Sequence, residues 1–512
     1  MNFHSRFNLI FIFIIFSFSL TSAQTEINIA ETHRSTIIKP KKKSIIRAGI
    51  TSGEHGYYLL EVVNIKTANI IPEAIKGKYR LFHYDKSLEL LQTKDLDILV
   101  RTYKGKIEYI DILDKDLLIF AWINDRKLNK KHLYQYTHDP ITLEQIQEPT
   151  IVHESAYIGY NRDRNKFNFA LSPDSSKFLI YETNPLQKGK MEILAKVFDT
   201  KMNLLWSKKH TSDKLYYRFH SSTKAVVSNN GDSFFLISNS YMIAMNDNNN
   251  DWIKLRERDK NQIKCMEIQL DHEQNPIILG YYSHKKNKED GLVFIKSAKL
   301  NDPFELSVKL TPFSEKILKM NSKKQNPKKN PGLRNATIKK VFRKPNNNFL
   351  IIGEENYSDD HNSGSGGSKQ EYKTYYHKSL LISEVDLRGN IVWSQKIPKH
   401  GGGGKFYEAT TFSTHQDGEI FYFIFNDHPN NLNYPGYGKI TKTKKLFNRE
   451  AHVTVARLDN DGKFKTASLF PSSKEKFQKF YPLGTGKISN KEMLIIERKE
   501  REFELVKLKI EE

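Results

Sequence analysis

Two groups of oxygen- and nitrogen-bearing side chains offer chemistry in this sequence. The first is Asn246-Asp247-Asn248-Asn249-Asn250-Asp251-Trp252, which sets Asp247, Asn249 and Asp251 at alternate positions. Oxygen side chains spaced this way open a calcium loop, because a hard cation gathers about six to eight oxygens. The glycine of the sharp turn is missing, and Arg258 stands where such a loop closes with glutamate. A solvated hairpin turn is the simpler reading. The second group, Asn426, Asp427, His428, Asn430 and Asn431, follows Ile420 to Phe425, a continuous apolar run. Hydrogen-bonding groups gathered where a core strand ends suit a ligand pocket or an acid/base pair. They suit the capping of a turn more simply.

Other chemistries lack their residues. The 17 histidines show no His-x-x-x-His pair, so no zinc site is indicated. There is no Gly-x-Ser-x-Gly elbow and no phosphate loop. The single cysteine, Cys265, forbids an internal disulfide and reads as a small core residue in a strand. No cofactor is expected beyond that calcium.

The elements that position these groups are strands. Phe178 to Tyr181, Phe234 to Ile237, Pro276 to Tyr282, Phe349 to Gly353, Ile420 to Phe425 and Met493 to Ile496 are short apolar runs, most of them following a polar turn; Leu117 to Ile123 is another. Continuous apolarity over so few residues predicts strands covered on both faces. One unit recurs. Val197-Phe198-Asp199-Thr200-Lys201-Met202-Asn203-Leu204-Leu205-Trp206 returns as Glu384-Val385-Asp386-Leu387-Arg388-Gly389-Asn390-Ile391-Val392-Trp393. A shorter relative is Leu458 to Phe464. Asp199 with Asn203, and Asp386 with Asn390, supply turn chemistry; Trp206 and Trp393 supply large apolar area between sheets. These residues read as structural.

The Asp-x-x-x-Asn-x-x-Trp unit resembles the repeat of bacterial quinoprotein-like and WD40-like β-propellers. The resemblance implies architecture, not activity, and the chain lacks an adjacent Cys pair and a Cys-x-x-Cys-His haem motif. The expected fold is an all-β propeller of seven blades over residues 56–511, its last blade closed by N- and C-terminal strands. That blade would join residues of about 480–510 to about 57–92. Residues 24–55 read as a linker or first strand. Asp359 to Gln370, Met320 to Asn335, His400 to Gly404 and Pro429 to Thr443 read as long loops.

Residues 1–23 carry the pattern of a signal peptide: Arg6, an apolar run from Phe7 to Leu20, and small residues before a cleavage point at Ala23-Gln24. No Cys stands there for lipid attachment, and no later segment is apolar enough to span a membrane as a helix. The expected location is periplasmic or extracellular, in a Gram-negative bacterium. With 81 Lys and Arg against 59 Asp and Glu, the net charge is +22, which favours anionic partners. The basic residues are spread along the chain in turn-like contexts, and no specific nucleic-acid site emerges. The expected function is a monomeric, non-enzymatic binding or scaffold module for a protein partner or an anionic glycan. The alternative is a propeller enzyme, a polysaccharide lyase or glycoside hydrolase, with its site at the channel mouth.

Overall fold

The computed structural model describes residues 27–511 apart from 28, 40–44, 53, 64–77, 101–102, 126, 157–166, 187–189, 212–222, 238, 249, 256–261, 285–288, 298–305, 321–332, 334, 364–369, 404–410, 435–439, 444–450, 470–478 and 500–501. The signal-peptide reading of residues 1–23 lies outside them.

The chain forms antiparallel sheets of four consecutive strands, as propeller blades do. Blade 1 runs Ile45–Ser52, Gly56–Val63, Lys78–Tyr84 and Leu90–Leu96. Blade 2 runs Lys106–Leu113, Asp116–Asp125, Lys130–His138 and Thr150–Ala156. Blade 3 runs Phe167–Leu171, Lys177–Pro185, Met191–Asp199 and Leu204–Thr211. Blade 4 runs Thr223–Val227, Ser233–Ile237, Tyr241–Met245 and Asn250–Lys254. Blade 5 runs Gln262–Leu270, Pro276–Ser283, Gly291–Ser297 and Leu306–Pro312. Blade 6 runs Ala336–Arg343, Phe349–Ser363, Gln370–Val385 and Ile391–Ile397, with Gly401–Gly403 added beside its third strand. Blade 7 runs Phe412–Asp417, Ile420–Asp427, His452–Leu458 and Phe464–Ser468. Blade 8 takes Lys479–Lys487, Glu492–Lys499 and Glu502–Ile510 from the C-terminal end, and Ile29–Arg34 from the N-terminal end.

The propeller therefore has eight blades, not the expected seven. The error has a specific source. Gly56–Val63 is an apolar second strand like the others, and it belongs to a complete blade of its own. The strand that completes blade 8 is Ile29–Arg34, pairing with Glu502–Ile510 from Ile29 opposite Ile510 to Arg34 opposite Val506. Closure by both chain ends stands, but with an earlier segment. That segment was hard to read because Ile-Ala-Glu-Thr-His-Arg is short, mostly polar and nowhere fully buried. An outermost strand needs an apolar face on one side at most.

Among the described residues, eight apolar clusters hold the ring together, each between two neighbouring blades. One joins Leu59 and Tyr84 of blade 1 to Ile496 and Leu505 of blade 8, which seals the circle. Another joins Leu350 and Ile382 of blade 6 to Phe423 and Phe425 of blade 7. The second strands lie between two neighbours within the sheet and two blades across it. This is why Ser233–Ile237 and Pro276–Ser283 are buried along their whole length. The fourth strands lie at the rim and are buried only in places, as in Leu204–Thr211. The first strands of neighbouring blades lie against one another at the centre, that of blade 8 against that of blade 1.

The repeated unit is the turn between third and fourth strands. In blade 3, Asp199 accepts from the backbone N–H groups of Lys201 and Asn203, both at 2.9 Å, and from Asn203 Nδ2 at 2.8 Å. In blade 6, Asp386 accepts from Arg388 N–H at 2.9 Å, Asn390 N–H at 2.8 Å and Asn390 Nδ2 at 2.7 Å. Burial pushes both carboxyls up, and these bonds hold them net below the usual range. Trp206 then donates from Nε1 to Gly231 O of blade 4 at 3.0 Å, tying one blade to the next. Trp393 donates to Glu384 at 3.0 Å. A single helical turn, Glu315–Lys319, is capped by Ser314 and buries Ile317.

Candidate functional site: an arm on blade 6 and its root

The second and third strands of blade 6 are 15 and 16 residues long, against five to ten elsewhere. They pair from Phe349 opposite Val385 to Ser363 opposite Gln370, with one irregularity between Glu354 and Asn356. The eight pairs from Asn356–His377 onward project beyond the body of the blade. At about 3.4 Å per residue the arm is roughly 25 Å long. The stretch Asp359 to Gln370, expected as a loop, is thus strand as far as Ser363 and again at Gln370.

A two-stranded ribbon is marginal by itself in water, and the base of this one is reinforced. Tyr357 and Tyr376 are cross-strand partners whose rings stack at 4.6 Å with 12° between planes. The Lys378 ammonium lies 4.4 Å from the centre of the Tyr357 ring, and Lys442 lies 5.3 Å from that of Tyr376. Gly401–Gly403 pairs with Tyr375, Tyr376 and His377. A Cβ on Gly402 would lie 2.9 Å from the Tyr376 ring, so glycine lets the added strand approach. Gly401 to Gly403, within a stretch expected as a loop, therefore form a strand.

Beneath the arm lies a buried ionic cluster. Lys399, fully buried, pairs with Glu354 Oε1 at 2.8 Å. His377 Nδ1 lies 2.7 Å from Glu354 Oε2, Thr411 donates to the same oxygen at 3.2 Å, and Lys339 stands 3.6 Å away. Burial pushes the Glu354 carboxyl up, but Lys399, His377 and Lys339 overcome it and bring it to about 2. Asp427 behaves oppositely. Burial pushes it up to about 6, although the His428 amide, Asn431 and the His400 amide all donate to it. The Asn431 and His400 bonds measure 2.9 and 3.2 Å.

The second sequence group thus sits beside the arm root, and most of it is occupied with the protein's own backbone. Asn426 clamps the first strand of blade 8, donating to Phe480 O at 2.7 Å and accepting from Phe480 N–H at 3.1 Å. Asn431 does the same with Thr441, both bonds at 2.9 Å. His428 caps a short 3-10 turn, accepting from Asn430 N–H at 3.2 Å, and Asn430 is exposed. The first group is not gathered in the described residues. Asp247 is exposed in the turn before the fourth strand of blade 4, and Asp251 lies within that strand. Asn249 and the side chain of Asp251 lie outside the described residues.

One feature of the site went unread in the sequence. Glutamate is the sixth residue of the second strand in blades 1, 3, 6 and 8: Glu61, Glu182, Glu354 and Glu497. All four are buried, and each faces a cation: Arg80 at 3.8 Å, Lys131 at 2.9 Å, Lys399 at 2.8 Å and Arg34 at 2.8 Å. The available signal was a glutamate closing an apolar run. On the first strands, polar side chains also pair: within blade 2 Tyr109 donates to Asp111 at 2.5 Å, and between neighbouring blades Lys224 pairs with Glu267 and Lys340 donates to Thr414 at 2.8 Å.

No protein-family model and no curated protein matches this sequence. Solved structures do match in shape. The WD40 domain of SCAP from fission yeast is 10% identical with a TM-score of 0.41, covering 94% of this chain and 98% of that one. The propeller domain of the Trilobed protease from Pyrococcus furiosus is 11% identical with a TM-score of 0.32, covering 87% and 97%. An endo-arabinase from Bacteroides thetaiotaomicron is 11% identical with a TM-score of 0.25, covering 67% and 96%. Among the described residues, no helix is long and apolar enough to cross a membrane.

Proposed function

We propose that this chain is an exported binding module that engages a protein partner through the arm of blade 6. The observation that carries the reading is the arm itself. Beyond Asn356 on one strand and Tyr375 on the other, its two edges have no strand partner among the described residues. Free edges present backbone donors and acceptors to an incoming strand, and a partner reading them needs few matched side chains. The stacked tyrosines, the glycine strand and the ionic root hold the ribbon in place, which lowers the ordering cost of binding. Glu354 and Asp427 are committed to internal partners, which suits a support better than a pair of catalytic carboxyls. The net charge of +22 suits a partner with an acidic surface. Export rests on Arg6 and the apolar run from Phe7 to Leu20.

The test is a trimmed arm in which Tyr357 and Tyr376 are joined by Asn-Gly. Two residues of that type close a hairpin at an existing cross-strand pair. The trimmed protein is expected to keep its unfolding midpoint and to lose capture of native-envelope proteins by about tenfold or more. Equal capture by both forms refutes the reading. So does retention by acidic glycans alone, which would place an anionic polysaccharide on the ring instead.

A further inference from the structure

Antiparallel order fixes where the chain turns back. Connections from first to second strand, and from third to fourth, begin and end on one face of the ring. Connections from second to third strand, and from each fourth strand to the next blade, begin and end on the opposite face. The charges of the sequence divide unequally between the two. Connections on the first face hold 8 Lys and Arg against 18 Asp and Glu. Those on the second hold 41 Lys and Arg against 13 Asp and Glu, about half of all 81 basic residues.

Basic residues that look scattered along the chain therefore belong to one face, because folding returns alternate connections to the same side. On the acidic face Glu144, Glu148, Asp174 and Asp461 are exposed. On the basic face Lys39, Lys127 and Lys316 are exposed. The arm joins the second and third strands of blade 6, so it rises from the basic face.

We propose that the basic face is the docking face, that it receives a protein with an acidic surface, and that the acidic face is turned away from that partner. The class of partner rests on the reading of the arm above. Only a polypeptide strand can continue the ladder at the arm's edges, and a polysaccharide leaves them unused. A flat anionic bilayer is held off the face by a ribbon of roughly 25 Å. Lysines surrounding the arm draw in an acidic surface and orient it, while the acidic face repels the same surface.

Fluorescently labelled poly-L-glutamate serves as the probe, followed by anisotropy with the full chain at about 50 mM salt, where screening is weak. The combined substitutions Lys39→Glu, Lys127→Glu and Lys316→Glu should weaken binding about tenfold. Lys86, Lys115 and Lys201 are exposed lysines of the acidic face. Changing these three to Glu alters the net charge by the same amount and should weaken binding less than about twofold. Equal losses in the two variants overturn the proposal, since net charge and not a face would then be acting. Absence of binding by the unaltered protein also overturns it. Tighter retention by alginate or by phosphatidylglycerol vesicles, at matched charge, overturns the choice of a protein. The trimmed arm should hold poly-L-glutamate within about twofold of the full chain, because the polymer needs no strand pairing, so a failed arm and a failed face give different results. Envelope capture that falls on trimming but not in the basic-face variant removes this face and keeps the arm.

Discussion

Glu182 in blade 3 and Glu354 in blade 6 occupy the same strand position, each with a lysine and a histidine at hand, yet their surroundings diverge. Lys131 lies 2.9 Å from Glu182 and Lys399 lies 2.8 Å from Glu354, so the primary pair is alike. The histidines are not. His377 reaches Glu354 at 2.7 Å, whereas His153 stops 4.0 Å from Glu182, and neither of its ring nitrogens has a hydrogen-bond partner. Desolvation, with Lys196 and Lys131 nearby, pushes His153 down to about 3. The Ser155 hydroxyl is also unpartnered. The difference teaches what the arm requires. Under the projecting ribbon, Lys399, His377, Thr411 and Lys339 all converge on the Glu354 carboxylate. Between two ordinary blades, apolar contacts hold the junction, and an incomplete polar cluster is tolerated.

The largest test of that comparison is to remove each lysine. Lys399→Met should cost roughly 3–5 kcal/mol, because Glu354 is left charged in a dry site. Adding Glu354→Gln should recover at least half of that loss in a double-mutant cycle read by urea unfolding at pH 7. Lys131→Met should cost less, on the order of 1–3 kcal/mol, since the idle His153 can take a proton and face Glu182 instead. Equal costs would break the contrast.

Acid titration gives the next effect. A histidine held neutral in the fold stabilises fully above its ordinary value of 6.5, and that contribution is lost as pH falls toward about 3. Between pH 6.5 and 4 the loss from His153 should reach up to about 3 kcal/mol, and His153→Phe should remove it. Glu354 acts lower down. Its depressed value keeps its contribution intact until pH drops below the ordinary 4.5 and withdraws it toward about 2.

Asp427 has the opposite sign. Its folded value is raised from 3.8 to about 6, so it weakens the fold at neutral pH, and stability is regained as pH falls through that window. Asp427→Asn should therefore stabilise by about 1–2 kcal/mol at pH 8, with the advantage gone near pH 4. Destabilisation at pH 8 would show that its bonds to Asn431 and the His400 amide outweigh its desolvation. The smallest effect is expected at Asn430, where Ala should change stability by less than about 0.5 kcal/mol, since the side chain is exposed.

The turns and strands were readable because their causes are local. Asp199 and Asp386 organise turns through atoms two to four residues away, and the apolar second strands announce burial on both faces by composition alone. The cluster under the arm was not readable, because its members are far apart in the chain: Lys339, Glu354, His377, Lys399, Thr411 and Asp427 meet only when blades 6 and 7 pack. Asn426 and Asn431 drew notice as polar residues at a strand end. Only the packed chain shows that they clamp Phe480 and Thr441.

By itself, the sequence determined that this protein is built from short antiparallel strands in repeated blades closed by its two ends, since periodicity and turn chemistry act over a few residues. The tertiary structure decided the number of blades, the segment that completes the ring, and the extension of Asn356 to Ser363 and Gln370 to His377 into an arm. Those depend on strand pairing across hundreds of residues, as between Ile29 and Ile510. Pairing energy resides in backbone bonds and burial that no local pattern encodes.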